Sequence, residues 1–330
     1  MSQLARILSA LAGLVALMVV GSVATNWAPD RPLAELTARW AAPPSVFIDV
    51  GALRAHVRDE GPRDDPMPVV LLHGTSASLH TWDGWTATLA QERRVIRVDL
   101  PGFGLTGPAP DGDYRIERYV EFVTALLDTL QVGRAVLAGN SFGGWVAWEM
   151  ALAHPDRVAS LVLVDAAGYP LESQSVPIGF RIARVPVLNR LLQVTLPRSV
   201  IESSLRNTYG DPSRVTPELV GRYYELTLRA GNRAALAQRF AAGRHATDPG
   251  RIQQLALPTL ILWGGRDRLI PLQYGERFHR DIAGSQFVAF PGLGHVPHEE
   301  DPEATVSALR GFLAQSTRGN VATSTSPRAP

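Results

Sequence analysis

The most informative segment of the chain is Ala135-Val-Leu-Ala-Gly-Asn-Ser-Phe-Gly-Gly-Trp-Val-Ala-Trp-Glu-Met150. Its first four residues are apolar and predict a buried strand, and the residues from Phe142 onward predict a helix. Between them, Gly139-Asn-Ser141-Phe-Gly143 matches G-x-S-x-G, a sharp strand-to-helix turn that exposes a serine hydroxyl above a sheet. The start of the helix favours negative charge beside that hydroxyl. We therefore predict that Ser141 is a catalytic nucleophile; the alternative is an ordinary serine N-cap.

Short apolar runs bounded by turn residues recur along the chain and predict eight buried strands. Helical patterns at 116–130, 142–153, 272–282 and 302–313 separate most of the later runs. This alternation predicts an α/β fold with a mostly parallel, eight-stranded sheet and helices on both of its faces. The predicted strands are Val46–Val50, Leu53–Arg58, Val69–Leu72, Arg94–Val98, Ala135–Ala138, Val158–Val164, Thr259–Trp263 and Gln286–Phe290.

The alternation is interrupted once, between the sixth and seventh predicted strands. Residues 168–247 contain helical patterns and no strand-like run, so they predict an inserted helical cap over the sheet edge where ligands of open α/β sheets bind. The α/β core then consists of residues 45–167 and 248–316. The proline-containing residues 25–44 are interpreted as a linker, and residues 317–330 as a disordered tail, because they lack an apolar period.

The composition excludes several kinds of chemistry. The 330 residues carry a net charge of +1, and all 32 basic residues are arginine, which excludes a lysine nucleophile or Schiff base. Cysteine is absent, which excludes thiol catalysis and cysteine-ligated zinc. No basic stripe is present, so we do not expect nucleic acid as a partner.

Chain order narrows the choice of catalytic base and acid, since both follow the serine in turns of this type. His295 lies in a glycine-rich loop directly after the last predicted strand and is predicted as the base; His298 is the local alternative. Asp267 follows Trp263-Gly-Gly-Arg after the penultimate strand and is predicted as the acid. Asp165, at the end of the preceding strand, is the alternative, because neighbouring strand ends lie about 5 Å apart.

Two backbone N–H groups are expected to form an oxyanion hole that stabilises the tetrahedral intermediate. One belongs to Phe142, the residue after the nucleophile, and the other to the loop after the strand Val69–Leu72. In that loop we predict the N–H of Thr75, with Ser76 as the neighbouring alternative.

A second motif, Gly102-Phe-Gly-Leu-Thr-Gly107, matches the dinucleotide-binding pattern G-x-G-x-x-G. That pattern must open a helix whose N-terminus holds pyrophosphate, but Pro108 and Pro110 follow here. We therefore expect neither a dinucleotide cofactor nor a metal.

Five segments together resemble the α/β-hydrolase superfamily. They are His73-Gly-Thr75, Asp99-Leu-Pro-Gly-Phe-Gly104, Gly139-Asn-Ser-Phe-Gly-Gly144, Gly264-Gly-Arg-Asp267 and Gly294-His-Val-Pro-His-Glu299. The resemblance covers residues 46–314 and implies the α/β-hydrolase fold, a serine hydrolase with a helical cap, and no cofactor.

The expected reaction is hydrolysis of carboxylic esters of hydrophobic substrates through an acyl-enzyme, because the predicted cap is rich in apolar residues. The alternative is a carbon–carbon bond hydrolase acting on ring-cleavage dienoates, which the segment around Ser141 resembles. Those enzymes carry more glycine where this chain has Ser76-Ala-Ser78, and tryptophan where it has Val296. A non-catalytic binding protein is a third hypothesis, opposed by the complete Ser, Asp and His set. Candidates in the cap for binding a dienoate carboxylate are Arg184, Arg190 and Arg206.

The N-terminus contains an uncharged apolar run, Ile7–Ala24, at the lower limit of a membrane-spanning length. This run predicts an N-terminal membrane anchor, with the catalytic domain outside the cytoplasm because Arg6 precedes it. The small residues in Ser22-Val-Ala24 allow an alternative, a cleaved signal and a secreted or periplasmic protein.

Overall fold

Apolar strands form the centre of the structure. They are β1 (Val46–Val50), β2 (Leu53–Glu60), β3 (Val69–Leu72), β4 (Val95–Val98), β5 (Ala135–Asn140), β6 (Val158–Val164), β7 (Thr259–Gly264) and β8 (Gln286–Phe290). In this computed structural model, which describes residues 2–185, 189–190, 193–243 and 248–324, the strands form one sheet in the order β1-β2-β4-β3-β5-β6-β7-β8. The β1–β2 and β2–β4 pairs are antiparallel and the other pairs are parallel. The predicted fold class is confirmed.

Helices cover both faces of this sheet. The helices of the described residues, in chain order, are α1 (Gln3–Thr25), α2 (Leu33–Trp40), α3 (Asp83–Leu89), α4 (Ile116–Thr129), α5 (Phe142–Ala153), α6 (Ile178–Ala183), α7 (Arg198–Thr208), α8 (Pro217–Thr227), α9 (Asn232–Ala242), α10 (Gln273–Asp281), α11 (Pro297–Glu300) and α12 (Pro302–Ser324). Side chains alternate along each strand, so Val69 and Leu71 belong to the apolar cluster that includes side chains of α3 and α12. Val70 and Leu72 belong to the cluster on the other face, which includes side chains of α4, α5 and α10.

The register of the parallel strands aligns their carboxyl ends. Leu72 pairs with Gly139, Asn140 pairs with Val164, and Val164 pairs in turn with Leu262. The residues that follow β3, β5, β6 and β7 therefore emerge side by side at one edge of the sheet. This is the edge where open α/β sheets bind their ligands.

Among the residues that the structure describes, the α-helices with given bounds between β6 and β7 are α6 to α9. Thr216 caps α8 by accepting a hydrogen bond from the N–H of Leu219 at 3.2 Å, as its position before Pro217 predicts. Residues 186–188, 191–192 and 244–247 lie outside the described residues, so the predicted end of the cap at residue 247 falls there. The cap assignment for residues 168–247 stays a prediction.

The segment predicted as a linker, residues 25–44, docks on the rest of the molecule. It contains α2, whose Leu36 is buried against Leu226 of α8. The backbone N–H of Arg31 donates to the carbonyl of Leu228. The four prolines of this segment indicated an irregular chain, whereas the contacts of this short helix depend on partners almost 200 residues away in the sequence. The assignment of residues 25–44 as a linker stays a prediction.

The last helix, α12, is longer than predicted. The apolar pattern indicated an end near Leu313 and a disordered tail from residue 317, whereas the helix continues to Ser324. The assignment of residues 317–330 as a tail stays a prediction, and residues 325–330 lie outside the described part of the chain. No proline follows Pro302 until Pro327, so no residue in between interrupts the backbone hydrogen bonds of the helix.

Among the residues that the structure describes, no helix combines the length and the apolar character needed to cross a membrane. The prediction that residues 7–24 anchor the protein in a membrane is therefore wrong. It depended on an apolar run at the lower limit of a spanning length. The placement of the catalytic domain outside the cytoplasm depended on that segment and no longer follows.

Substitution of Leu36 tests whether α2 is part of the folded unit. Leu36 is 1% exposed, so Leu36→Ala leaves a cavity. We expect the free energy of unfolding, measured by urea titration, to fall by about 2–4 kcal/mol. Glu35→Ala, at an exposed position of the same helix, is the control, with an expected change under about 0.5 kcal/mol. Equal and near-zero effects of the two substitutions would contradict the docked arrangement.

Candidate active site

Ser141 occupies the turn between β5 and α5 in a strained backbone conformation. Its φ of 53° and ψ of −114° are unusual for a residue with a β-carbon, and such conformations cost roughly 1–3 kcal/mol. A β-carbon on Gly143 would lie 2.2 Å from the carbonyl oxygen of Leu72, so only glycine lets α5 pass this close to β3. The Ser141 side chain makes no capping hydrogen bond to α5. The hydroxyl is therefore not engaged as an N-cap.

Asp267 and His295 are hydrogen bonded to each other. His295 Nδ1 lies 2.6 Å from Asp267 Oδ2, and both residues are buried. Asp267 Oδ1 accepts from the N–H groups of Leu269 and Ile270 at 2.8 and 2.9 Å, which fixes the carboxylate. Because a carboxylate only accepts, the imidazole proton lies on Nδ1, and Nε2 keeps a lone pair. His295 lines the same cavity as Ser141, so the predicted nucleophile and base meet in one site.

Two contacts hold the backbone of His295. Its N–H donates to the carbonyl of Thr208, at the end of α7, at 2.7 Å. Its carbonyl accepts from Asn140 Nδ2 at 3.0 Å. Sequence analysis missed this role of Asn140, although its place inside the G-x-S-x-G motif indicates proximity to the site.

Glu300 connects the His295 loop to the inserted helices. Its buried carboxylate accepts from the N–H of Gly294 at 2.8 Å. The same carboxylate accepts from Gly210 and Asp211, which follow α7, at 2.9 and 2.8 Å. Sequence analysis also missed this residue, because its partners in the inserted segment are about 90 positions away.

Asp165, the alternative acid, lies at the end of β6 beside the Asp267–His295 pair. Its side chain is fully buried, and its Oδ1 accepts from the N–H of Gly264 at 2.9 Å. Burial and the neighbouring Asp267 carboxylate hold the pKa of Asp165 well above its usual range. Both acids considered from the sequence therefore reach this site, and Asp267 is the one that accepts a hydrogen bond from His295.

The same three side chains have the composition of a metal site. Ligand-type atoms of Asp165, Asp267 and His295 lie within 4.8 Å of one another. However, the 2.6 Å between His295 Nδ1 and Asp267 Oδ2 is a hydrogen-bond distance. Two ligands of one tetrahedral zinc ion lie about 3.3 Å apart. The geometry therefore fits a proton between these two atoms better than a metal ion.

The residues predicted to form an oxyanion hole lie beside Ser141. Phe142 is the first residue of α5, so its N–H has no acceptor in a preceding turn of the helix. A β-carbon on Gly74 would lie 3.2 Å from Ser141 Cβ, which places the loop after β3 directly beside the elbow. Thr75 and its alternative Ser76 both line the Ser141 cavity, and the choice between them stays a prediction.

His298, the alternative base, has different surroundings. It is fully buried, its Nε2 is 3.1 Å from Thr81 Oγ1, and its ring lies 3.9 Å from the Trp82 ring, centroid to centroid. Burial lowers the pKa of His298 well below its usual range, because the charged imidazole loses its hydration. These contacts indicate a packing role.

A second Ser-His-Asp set lies away from this cavity. His56 Nδ1 is 2.7 Å from Asp99 Oδ2, and His56 Nε2 is 2.9 Å from Ser45 Oγ. Arg58 Nε also donates to Ser45 Oγ, at 2.8 Å. Neither Ser45 nor His56 lines the cavity that contains Ser141. This set ties the start of β1 to β2 and to the end of β4.

The G-x-G-x-x-G segment, Gly102–Gly107, forms a series of turns, and the next helix, α4, begins only at Ile116. The loop folds around Asp99, whose Oδ2 accepts from the N–H of Leu105 at 2.7 Å. The glycines of this motif therefore serve a turn around a buried carboxylate.

Apolar side chains, mostly from the inserted helices, form much of the cavity wall. The one arginine among the described lining residues is Arg233, whose guanidinium is ion-paired with Asp30 at 2.6 Å. The three arginines considered for a substrate carboxylate, Arg184, Arg190 and Arg206, are not among those lining residues. Apolar lining residues include Pro177, Phe180, Ala183, Leu196, Val200, Ile201, Leu205, Leu236, Leu269 and Val296.

The chain belongs to the α/β-hydrolase family, because the family model described as alpha/beta hydrolase fold matches residues 67–302. The 2-hydroxymuconate semialdehyde hydrolase of Pseudomonas sp. (strain CF600) is 30% identical over 280 residues, which cover 81% of this chain and 93% of that protein. A thermophilic esterase from Thermogutta terrifontis matches with a TM-score of 0.70 and 28% identity, over 82% of this chain and 98% of that one. The meta-cleavage product hydrolase CumD from Pseudomonas fluorescens IP01 matches with a TM-score of 0.70 and 26% identity, over 82% and 97%. The protein is a hydrolase, as predicted.

A fluorophosphonate probe tests which serine is nucleophilic. We expect labelling of Ser141, located by peptide mass spectrometry, and its loss in Ser141→Ala, because Ser141 shares a cavity with His295. Ser45→Ala is the matched control, since Ser45 also contacts a histidine that is paired with an aspartate. Its labelling should equal that of the wild type. Label on Ser45 would contradict the assignment.

Asp165→Asn is expected to change how stability depends on pH. Because the pKa of Asp165 is raised in the folded protein, the folded protein binds this proton more tightly than the unfolded chain, which releases it above about pH 4. The wild type therefore loses stability relative to the variant as pH rises from that value. The difference between the free energies of unfolding of the variant and the wild type grows by up to about 1.4 kcal/mol per pH unit. Urea unfolding from pH 4 to pH 8 measures it, with Asp49→Asn at an exposed position as control. Parallel curves for Asp165→Asn and wild type would refute the raised pKa.

Proposed function

We propose that the protein hydrolyses carboxylic esters of hydrophobic substrates through an acyl-enzyme on Ser141. One observation carries the proposal: Ser141 and His295 share a cavity with a mainly apolar wall, and Asp267 orients His295 from the opposite side of its ring. A serine, a histidine with Nε2 free to accept, and a carboxylate on Nδ1 form the set required for acyl transfer.

In the first half of the reaction, His295 Nε2 takes the proton of the Ser141 hydroxyl while the oxygen attacks the ester carbonyl. The Asp267 carboxylate accepts from Nδ1, which keeps the productive tautomer and stabilises the imidazolium that forms. The imidazolium then returns its proton to the departing alcohol, and the acyl group stays on Ser141.

Negative charge on the tetrahedral oxygen is stabilised by the N–H groups of Phe142 and Thr75. Phe142 opens α5, so the helix N-terminus adds a favourable dipole. Removal of one such donor typically costs about 3 kcal/mol of transition-state stabilisation. In the second half of the reaction, water replaces the alcohol, His295 again acts as base, and the acid is released.

The substrate preference follows from the cavity wall. The inserted helices act as a cap in this proposal and supply Phe180 from α6, Val200 and Leu205 from α7 and Leu236 from α9. Burial of an acyl or alkyl chain there is favourable by about 25 cal/mol per Å² of apolar surface. The guanidinium of Arg233 is already paired with Asp30, so a neutral apolar substrate suits this wall better than an anion.

Carbon–carbon bond hydrolysis is the second candidate function. It is favoured by the similarity to 2-hydroxymuconate semialdehyde hydrolase and to the meta-cleavage product hydrolase. A dienoate substrate carries a carboxylate that needs a cation, and the cation in the described wall is engaged with Asp30. This observation ranks the ester reaction first.

A substrate panel separates the two candidates. Initial rates are measured for p-nitrophenyl esters from acetate to decanoate and for a 2-hydroxy-6-oxo-2,4-dienoate, and we expect the higher kcat/KM with esters. Ser141→Ala and His295→Ala should each lower ester turnover by about 10⁴-fold or more, because the triad acts as a unit. Asp267→Asn should lower ester turnover more than Asp165→Asn does. Turnover of the dienoate alone would make carbon–carbon hydrolysis the function, and turnover of neither would favour a binding protein.

A further inference from the structure

We propose that Asp165 is a positioning residue whose side chain carries a proton and donates it to Asp267, holding the Asp267 carboxylate toward His295. The inference rests on the proposed function of Ser141, Asp267 and His295 as the catalytic set. Nothing in the family assignment or in the sequence motifs gives Asp165 this role.

The hydrogen-bond capacity of the two carboxyl groups leads to this arrangement. Asp267 has about four acceptor positions, of which the N–H groups of Leu269 and Ile270 and the imidazole of His295 use three. Asp165 Oδ1 accepts from Gly264, whereas Asp165 Oδ2 is buried and has no hydrogen-bond donor beside it in the described structure. With a proton, Asp165 Oδ2 becomes a hydrogen-bond donor, and the one remaining acceptor position of Asp267 accepts from it.

The charges around Asp165 favour the same arrangement. The ionisable groups that face it are Asp267, His295 and Glu300, and the two carboxyl groups among them repel a negative charge on Asp165. Buried carboxyl groups this close do not both ionise, because neither repulsion nor lost hydration is compensated. Burial and the neighbouring Asp267 carboxyl group raise the pKa of Asp165, which agrees with this arrangement.

The backbone aims the side chain of Asp165 at the acid. Asp165 has a φ of 44°, in the left-handed region that residues with a β-carbon seldom adopt. Its N–H donates to the carbonyl of Leu262 on β7 at 3.0 Å, and its Oδ1 holds Gly264 at the end of the same strand. Asp165 is thus fixed to the strand that leads into the Asp267 loop, which is the loop it is proposed to position.

Two substitutions separate a neutral donor from an ionised acid. Asp165→Asn keeps an acceptor for Gly264 and a neutral N–H donor for Asp267, whereas Asp165→Leu keeps the branched shape but removes both the donor and the acceptor for Gly264. We expect kcat for p-nitrophenyl butyrate to stay within about threefold of wild type in Asp165→Asn and to fall about 30-fold in Asp165→Leu, with KM little changed, because a hydrogen bond to a charged group is lost. The pH profile of Asp165→Asn should match that of the wild type.

A second readout does not depend on turnover. The proton between His295 Nδ1 and Asp267 gives a downfield ¹H NMR resonance, assigned by its loss in His295→Ala. We expect it to persist in Asp165→Asn and to shift or broaden in Asp165→Leu. If wild-type protein hydrolyses no ester but the resonance follows this pattern, the proposed function fails and the role of Asp165 stands.

Two results overturn the proposal. A fall in kcat in Asp165→Asn as large as that in Asp267→Asn would mean that Asp165 acts as an ionised acid. Wild-type kcat and resonance in Asp165→Leu would mean that it positions nothing. If Asp165→Leu does not fold, judged by circular dichroism, Asp165→Asn alone decides between the neutral donor and the ionised acid.

Discussion

The strained turn at Ser141 is the constraint on which the rest of the site depends. A residue with a β-carbon keeps a φ of 53° only where the surrounding structure leaves no alternative, and here β5, α5 and the close approach of Gly143 to β3 impose it. Because α5 begins one residue after the serine, the Phe142 N–H lies beside the hydroxyl. The same turn fixes Asn140, whose amide reaches the carbonyl of His295. One turn thus orients the predicted nucleophile, an oxyanion donor and the support of the base.

The base is coupled to the inserted helices by backbone contacts. The N–H of His295 donates to Thr208 at the end of α7, and the Glu300 carboxylate bridges the His295 loop to Gly210. A displacement of α7 away from the sheet would break the first contact and strain the second. The apolar wall of the cavity and the imidazole of the predicted base are therefore not independent, and a change in the packing of α7 acts on both.

Sequence analysis predicted those features that depend on local pattern. The bounds of β1, β3, β6 and β8 agree with short apolar runs, because a strand buried on the sheet needs apolar residues whatever surrounds it. A motif and chain order predict Ser141 and His295 as nucleophile and base, and the structure brings both to one cavity. The sequence predicts Asp267 as the acid with Asp165 as the alternative, because both follow neighbouring strands, and in the structure His295 Nδ1 is hydrogen bonded to Asp267. The docking of α2 and the role of Glu300 depend on contacts between distant segments, which a local pattern does not contain.

The three buried carboxyl groups near His295 accept different numbers of backbone N–H groups. Glu300 receives three N–H groups, Asp267 receives two and the imidazole N–H, and Asp165 receives one. A carboxylate is stabilised in proportion to the donors it accepts, so Asp165 is the group among the three that is best suited to hold a proton. The loop after β7 supplies the N–H groups of Leu269 and Ile270 to Asp267, the carboxyl group that accepts from His295 Nδ1. The two aspartates have the same side chain, so the difference between them in this site lies in the backbone N–H groups that each one receives.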